Sequence, residues 1–257
     1  AIFESVEAKH SLFSSIEPRM KPGAILATNT SSLRLEDLRT VLKQPERLVG
    51  IHFFNPVAMM PLVEVVEADG ADPAVVQGAC AFVRQIDKLP LPVKSAPGFL
   101  VNAVLAPYML DAMRAVDAGV SPETVDEAML AFGMPMGPLE LYDMVGIDTA
   151  LFAGRVIWSA FIERVQASPI LPALLKAGRL GQKSGAGFFR YPSAGPAGPG
   201  SGRQPDPALL QVIGDYLAPP RATPRGEIID RLLFPMLFEA VRALEDVGLR
   251  DARAAEG

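Results

Sequence analysis

Apolar positions fall into two regimes along the chain. Over roughly the first 94 residues, short apolar runs alternate with amphipathic stretches. Beyond that point almost every patterned stretch has the helical period. The opening AIFESVEAKHSLFSSIEPRM sets Ile2, Val6, Leu12, Phe13 and Ile16 at roughly helical spacing with charges between them, and no strand or cap residue leads into it. After the Pro22-Gly23 turn, AILATNT reads as a short strand with a polar end. SLRLEDLRTVL follows as a helix that Ser32 can cap, with Leu33, Leu35, Leu38, Val41 and Leu42 on its apolar face. LVGIHFF (48–54) and LVEVVEA (62–68) are strands joined by the loop NPVAMMP, residues 73–88 are a helix, and LPLPVK (89–94) is a last short strand. Strand and helix alternating at this pitch predict an α/β sheet with helices packed on it.

The pattern changes at Ser95-Ala96-Pro97-Gly98. A long helix is expected from Phe99 to about Ala118, kinked where Pro107 removes a donor. SPETVDEAMLAFG reads as a second helix with Ser121 at its cap, Pro122 at its first position and Gly133 near its end. Helical segments cover roughly 139–178, with Phe152, Trp158 and Phe161 as core candidates. Residues 192–207 hold five Pro and four Gly in sixteen positions, a composition that predicts an unpacked linker. The tail then repeats an earlier segment. GFLVNAVLAPYMLDAMRAVDAG, from Gly98, aligns without gaps on GEIIDRLLFPMLFEAVRALEDVG, from Gly226, and Pro107 coincides with Pro235. The expected organisation is therefore an α/β domain over 1–94, an all-helical domain over 95–191, a linker over 192–223 and a partial second helical copy over 224–257.

Composition narrows the function classes. A net charge of −5 and a pI near 5.2 argue against a nucleic-acid partner, which needs a basic surface. The single cysteine, Cys80, excludes a disulfide framework and a cysteine-based zinc site, and reads as inert core. Two histidines leave little room for a histidine-rich metal centre, so no metal is expected. No apolar run reaches the ~18 residues of a spanning helix, and no signal peptide opens the chain. A soluble, cytoplasmic protein is expected.

Candidate chemistry sits at a few polar positions in apolar surroundings. Glu64 lies inside LVEVVEA, where alternation puts it on the side of Leu62 and Val66, and a carboxylate there is costly without a partner. His52 in the neighbouring strand is the expected partner, because a carboxylate fixes an imidazole's tautomer and stabilises its charged form, as a general base requires. A purely structural His–Glu pair has the same spacing. TNTSSL (28–33) places five hydrogen-bonding side chains at a strand's carboxyl end, the edge at which open α/β sheets bind ligands, although a turn with a helix cap would use some of the same residues. Asn55 stands at a comparable edge. Asn102 is polar in an otherwise apolar helix start, which suggests a buried amide. His10 reads as a surface helix residue. No GxGxxG follows a strand, and GPAGPGSG lies in the expected linker and precedes no helix.

TNTSSL, GIHFFNPV, LVEVV, SAPGFLVN and GMPMGPLELYDMVGIDT, in that order and at that spacing, resemble the L-3-hydroxyacyl-CoA dehydrogenase family. Within that family the chain is most similar to the dehydrogenase region of multifunctional fatty-acid β-oxidation α subunits, which carry two copies of the helical domain. The resemblance covers nearly all of 1–190 and, more weakly, 224–257. It implies a Rossmann-type NAD-binding domain followed by an all-α domain, with the active site between them. It implies oxidation of (S)-3-hydroxyacyl-CoA to 3-oxoacyl-CoA with NAD as cofactor. His52 would be the general base, Glu64 would orient it, and Ser31 and Asn102 would hydrogen-bond the substrate oxygen. Glu4, Lys9, Ser31, Asn55 and Lys183 would line the NAD site. A homo-oligomer or a thiolase-containing complex is the expected assembly.

One departure stands out. The family's first βαβ unit, with its glycine-rich turn, is expected upstream of Ala1, so only the C-terminal half of the Rossmann-type domain is expected here, and such a piece should bind NAD poorly. Two other readings stay open: a non-catalytic structural or binding member of the family, and a dehydrogenase of a hydroxy acid without CoA.

Overall fold

The computed structural model describes residues 2, 4–31, 33–160, 168–192 and 202–246. They form two compact units, Ala1–Ala103 with Val241–Gly257, and Val104–Ala240.

The first unit is a four-stranded mixed sheet with helices. Helix α1 (Val6–Ile16) does have a cap, since the Ser5 hydroxyl accepts from the Ala8 amide at 3.2 Å. It buries Phe13, while Ile2 and Leu12 of the expected face are exposed. Strand β1 (Leu26–Thr28) leads to the short helix α2 (Leu35–Leu38), then β2 (Leu48–Phe53), β3 (Leu62–Glu67), α3 (Pro73–Gln85) and β4 (Leu89–Lys94). Sheet order is β1-β2-β3-β4, with β1 and β2 parallel, β2 and β3 antiparallel, and β3 and β4 parallel. This is the α/β architecture expected from the alternation.

The cap of α2 differs from expectation. Ser32 lies outside the described residues; the Leu35 amide is taken by the hydroxyl of Ser95, sixty residues away, which in turn donates to Glu36. Leu35 and Leu38 are fully buried, whereas Val41 is exposed.

Pleating sorts the central strands into two faces. Val49, Ile51, Val63 and Val65 pack with Val75, Val76, Ala79, Cys80 and Val83 of α3. Each buried Val or Ile there is worth about 1.5–3 kcal/mol relative to exposure. Cys80 is core, as expected, and burial pushes its thiol up. The even-numbered positions point the other way, placing Gly50, His52, Glu64 and Val66 together. Gly50 is needed there, because a Cβ would come within 2.7 Å of the Val66 Cβ. Pro90 and Pro92 alternate along β4, an edge strand, so their missing donors face away from β3.

The second unit is mostly helical. Helix α4 (Val101–Asp117) continues through Pro107 without interruption. Helix α5 (Pro122–Phe132) has the expected Ser121 cap, and ends at Gly133 with φ +117. Helices α6 (Pro138–Val145), α7 (Ile147–Ala160) and α8 (Ile170–Lys176) follow. The core gathers Tyr108, Met113, Val116, Met129, Leu139, Ile147, Leu174 and Phe188. Phe152, expected in the core, is 47% exposed, because it lies off the face that α7 buries. Phe161 and the Trp158 side chain lie outside what is described.

The stretch after α8 is held by single β-bridges, Gly181 to Ala186, Ala186 to Arg190 and Arg190 to Gln204, with one short 3-10 turn at Gln182–Ser184. The expectation of an unpacked linker through 223 is corrected from residue 202 onward. Arg203 pairs with Asp126 and, at 3.2 Å, with Glu140, and its guanidinium lies 4.6 Å from the Phe189 ring centroid. Asp206 pairs with Arg179 at 2.7 Å. Helix α9 (Leu209–Ile213) buries Leu209 and Ile213. Composition missed this because a few charged and apolar anchors outweigh the local Pro and Gly content. Helix α10 (Arg225–Asp246) carries Pro235 inside it, as the internal alignment predicts, and its Ile228 and Leu232 are buried in the same core. Burial differs from that of α4 at several aligned positions: Leu110 and Met113 are buried, while the aligned Phe238 and Val241 are 61% and 57% exposed.

Two buried aspartates tie this unit together. Asp126 accepts from the amides of Leu139 and Glu140 at 2.8 and 3.0 Å, capping α6, whose own Gly137 has no side chain to do so. Asp143 accepts from the amides of Phe188 and Phe189 and from the Tyr191 hydroxyl. Its carboxylate fills the space a Cβ on Gly187 would need. Burial pushes Asp126 up to about 6 and Asp143 up to about 7, against the opposing pull of those amides and, at Asp126, of Arg203.

Unfolded, both would titrate near 3.8, so the folded state binds more protons between that value and the raised ones. The stability they contribute is full below about 3.8 and is lost as pH rises through 6 and 7. The denaturant midpoint of the helical unit should therefore fall between pH 5 and pH 8, followed by far-ultraviolet circular dichroism; a midpoint that holds or rises over that range contradicts this account.

Candidate active site

The antiparallel pairing of β2 with β3 puts His52 directly opposite Glu64. Nδ1 of the imidazole lies 2.7 Å from Oε2 of Glu64, and the two residues are 6% and 0% exposed. The other carboxylate oxygen, Oε1, accepts from the backbone amides of Leu100 and Val101 at 3.0 and 2.9 Å. Glu64 therefore joins the histidine to the first turn of α4, where unpaired amides favour a carboxylate. The imidazole is flanked by Phe54, with ring centroids 4.7 Å apart, and by Phe99 at 5.6 Å. Among the described residues no hydrogen bond engages Nε2 of His52. A histidine fixed at Nδ1 by a carboxylate and free at Nε2 is equipped to take a proton there.

The polar end of β1 forms a second cluster. Glu4 receives the Thr30 hydroxyl and, at 2.9 Å, the Ser31 amide. Lys9, only 2% exposed, lies 3.3 Å from the other Glu4 oxygen and 3.5 Å from the Thr28 hydroxyl. Burial pulls the Glu4 carboxyl up, but Thr30, the Ser31 amide and Lys9 together outweigh it and hold it below its ordinary value. Thr30 also accepts from the Leu33 amide at 3.1 Å, and Asn29 accepts from the Phe53 amide at 3.3 Å, linking the ends of β1 and β2. The Ser31 hydroxyl is not engaged among the described residues, and the Asn102 amide reaches the Ser31 carbonyl at 3.4 Å.

Of the residues singled out by sequence, His52, Glu64, Ser31, Asn102, Glu4, Lys9 and Asn55 fall in the first unit. Ser31 is tied to Glu4 and to Asn102, and His52 is tied to Glu64. Asn55 is exposed, follows β2 and precedes a cis Pro56. Lys183 falls in the second unit, where both oxygens of Asp148 hold its ammonium at 2.5 and 2.7 Å. His10 is half-buried, with Nε2 2.8 Å from the Asp37 carbonyl. Sequence reasoning missed Thr30 as a clamp, Phe54 and Phe99 as neighbours of the imidazole, and the helix end that holds Glu64. The run of polar side chains in TNTSSL was a signal for Thr30; the helix end is 36 residues from Glu64 and left none.

No group of three or more His, Cys, Asp or Glu that could hold a metal ion occurs among the described residues. Nor does any helix among them have the length and apolar character to cross a membrane.

Residues 1–96 match the profile of the 3-hydroxyacyl-CoA dehydrogenase NAD binding domain, and residues 98–191 that of the 3-hydroxyacyl-CoA dehydrogenase C-terminal domain. A fatty acid oxidation complex subunit alpha from Pseudomonas savastanoi pv. phaseolicola is 38% identical over the whole chain, which spans 36% of that relative's length. Among solved structures, FadB2 of M. tuberculosis is 39% identical with a TM-score of 0.72, over 74% of this chain and 69% of that one. The 3-hydroxybutyryl-CoA dehydrogenase of Escherichia coli K12 is 36% identical with a TM-score of 0.70, over 76% and 42%.

Proposed function

The chain belongs to the 3-hydroxyacyl-CoA dehydrogenase family, and from that membership we propose that it is the dehydrogenase region of an enzyme that oxidises (S)-3-hydroxyacyl-CoA to 3-oxoacyl-CoA in fatty-acid oxidation. The observation that carries this reading is the His52–Glu64 pair, buried, aligned across two strands and anchored on a helix end. Its place beside the polar end of the parallel strand pair suits a dinucleotide-dependent oxidation. A scaffold protein gains nothing from burying such a pair with one imidazole nitrogen left without a partner.

The donor set fits NAD: the Ser31 hydroxyl and the exposed Asn55 amide suit ribose hydroxyls and a carboxamide, and Glu4 and Lys9 set the strand end that presents Ser31. Lys183 belongs to the same proposal as a cofactor-lining residue. When bound, the nicotinamide supplies the hydride acceptor. His52 takes the 3-hydroxyl proton on Nε2 as the C3–H bond breaks. Glu64 keeps the Nδ1 proton in place and stabilises the imidazolium that forms. Ser31 and Asn102 hold the oxygen as it changes from hydroxyl to carbonyl, which keeps C3 oriented during transfer. Assembly into an oxidation complex, as the curated relatives are named, is part of the same reading.

The test follows absorbance at 340 nm while the full-length protein is given NAD and (S)-3-hydroxybutyryl-CoA, its (R) enantiomer, or free 3-hydroxybutyrate. Turnover of the (S)-CoA thioester alone supports the proposal. Turnover of the free acid with none of the thioester would replace it with a CoA-independent dehydrogenase, and no turnover of any would leave a non-catalytic member.

A further inference from the structure

Phe99 combines two properties that do not normally occur together. Its backbone is left-handed, with φ +51, directly after Gly98 at φ +76, and its side chain is wholly buried. A bulky residue is strained in that region, and such strain persists only where the surroundings enforce it. Here the strained turn has two consequences. The Phe99 amide closes on the Ala96 carbonyl at 2.9 Å, and the next two amides, of Leu100 and Val101, are delivered to Oε1 of Glu64. The ring meets the imidazole of His52 edge-on, with centroids 5.6 Å apart and planes at 62°. Phe54 meets the same imidazole at 4.7 Å and 60°. Both contacts lie in the range of favourable tilted aromatic pairs.

A hydrogen bond at Nδ1 fixes one point of the imidazole but leaves the ring free to tip about it. We propose that Phe99 is a positioning residue that acts with Phe54 to fix the plane of the His52 imidazole, and so the direction in which Nε2 faces. The inference rests on the proposed dehydrogenase function for its kinetic consequence, but not for its structural one. Proton transfer depends on alignment, and a misplacement on the scale of 1 Å costs up to about a hundredfold in rate.

The experiment compares Phe54→Leu, Phe54→Tyr and Phe99→Leu in the full-length protein. Kinetics with (S)-3-hydroxybutyryl-CoA are paired with spectra of histidine-labelled protein, the His52 signals being assigned by their loss in His52→Gln. Phe54 is half-buried just after β2, so its variants carry the test even where Phe99→Leu does not fold. Phe54→Leu is expected to lower kcat about tenfold to a hundredfold, with KM for the thioester and NAD within about threefold. It should also move the carbon-bound proton resonances of His52, which sense the ring current of the lost aromatic. Phe54→Tyr keeps the ring and should restore both. Unmoved resonances in both leucine variants, or in Phe54→Leu alone where Phe99→Leu does not fold, overturn the positioning role. Undiminished kcat in Phe54→Leu overturns it as well. If the wild type oxidises no 3-hydroxyacyl-CoA, the functional reading fails, while the resonances still decide whether the two rings lie against the imidazole.

Discussion

Replacing His52 with alanine is expected to lower kcat for (S)-3-hydroxyacyl-CoA oxidation by the full-length protein ~10²–10⁴-fold, the usual share of a positioned general base. The imidazole is 6% exposed and fixed at Nδ1 by Glu64, and among the described residues no hydrogen bond engages its Nε2. A base acts in the transition state rather than in ground-state binding, so KM should change little while kcat and kcat/KM fall together. The measurement is steady-state kinetics at saturating NAD. Turnover within about threefold of the wild type would remove His52 from this role.

The second large effect is expected at Glu64, where two substitutions separate two jobs of one side chain. Glu64→Gln keeps an oxygen that can accept from the Leu100 and Val101 amides, so the start of α4 stays capped. It presents an NH₂ group to Nδ1 of His52, which then has to accept. The mobile proton moves to Nε2, and the imidazole can no longer act as a base there. The expected result is a fall in kcat of about a hundredfold or more with little change in melting temperature. Glu64→Ala removes the cap as well. It leaves two amides and a buried imidazole without their partner, at about 1–3 kcal/mol for each unsatisfied group. Calorimetry should then show a clear drop in melting temperature for Glu64→Ala and not for Glu64→Gln. Equal drops would mean that the carboxylate's charge, rather than its hydrogen-bond geometry, holds this corner of the fold.

Much of the first unit was legible because period-2 and period-3.6 patterns are local. The strands around Leu26, Ile51 and Val65, and the α3 helix with its buried Val75, Ala79 and Val83, lie where the pattern puts them. The His52–Glu64 pairing was legible for the same reason, since a short connection between two strands leaves little freedom of register. Capping was read less well. Ser121 follows the local rule, but α2 takes its cap from Ser95, α6 from Asp126 and α4 from Glu64. Those donors and acceptors meet only after the chain folds. The linker expectation failed in a similar way: Arg203 reads as a charged residue in a Gly/Pro-rich stretch until Asp126, Glu140 and Phe189 are assembled around it.

By itself, then, the sequence determined the order and type of most secondary elements and the family resemblance, and it singled out His52, Glu64, Ser31 and Asn102 as candidates. Each of these depends on local periodicity or on motifs a few residues long. The tertiary structure alone decided what holds those residues in place. It set Glu64 on the helix end of Leu100 and Val101, Ser31 between Glu4 and Asn102, and Phe99 in a strained turn against His52. Hydrogen bonds and ring contacts act over a few ångströms in space, so residues 27 to 71 positions apart become partners only through the packing of the sheet and of the helix end beside it.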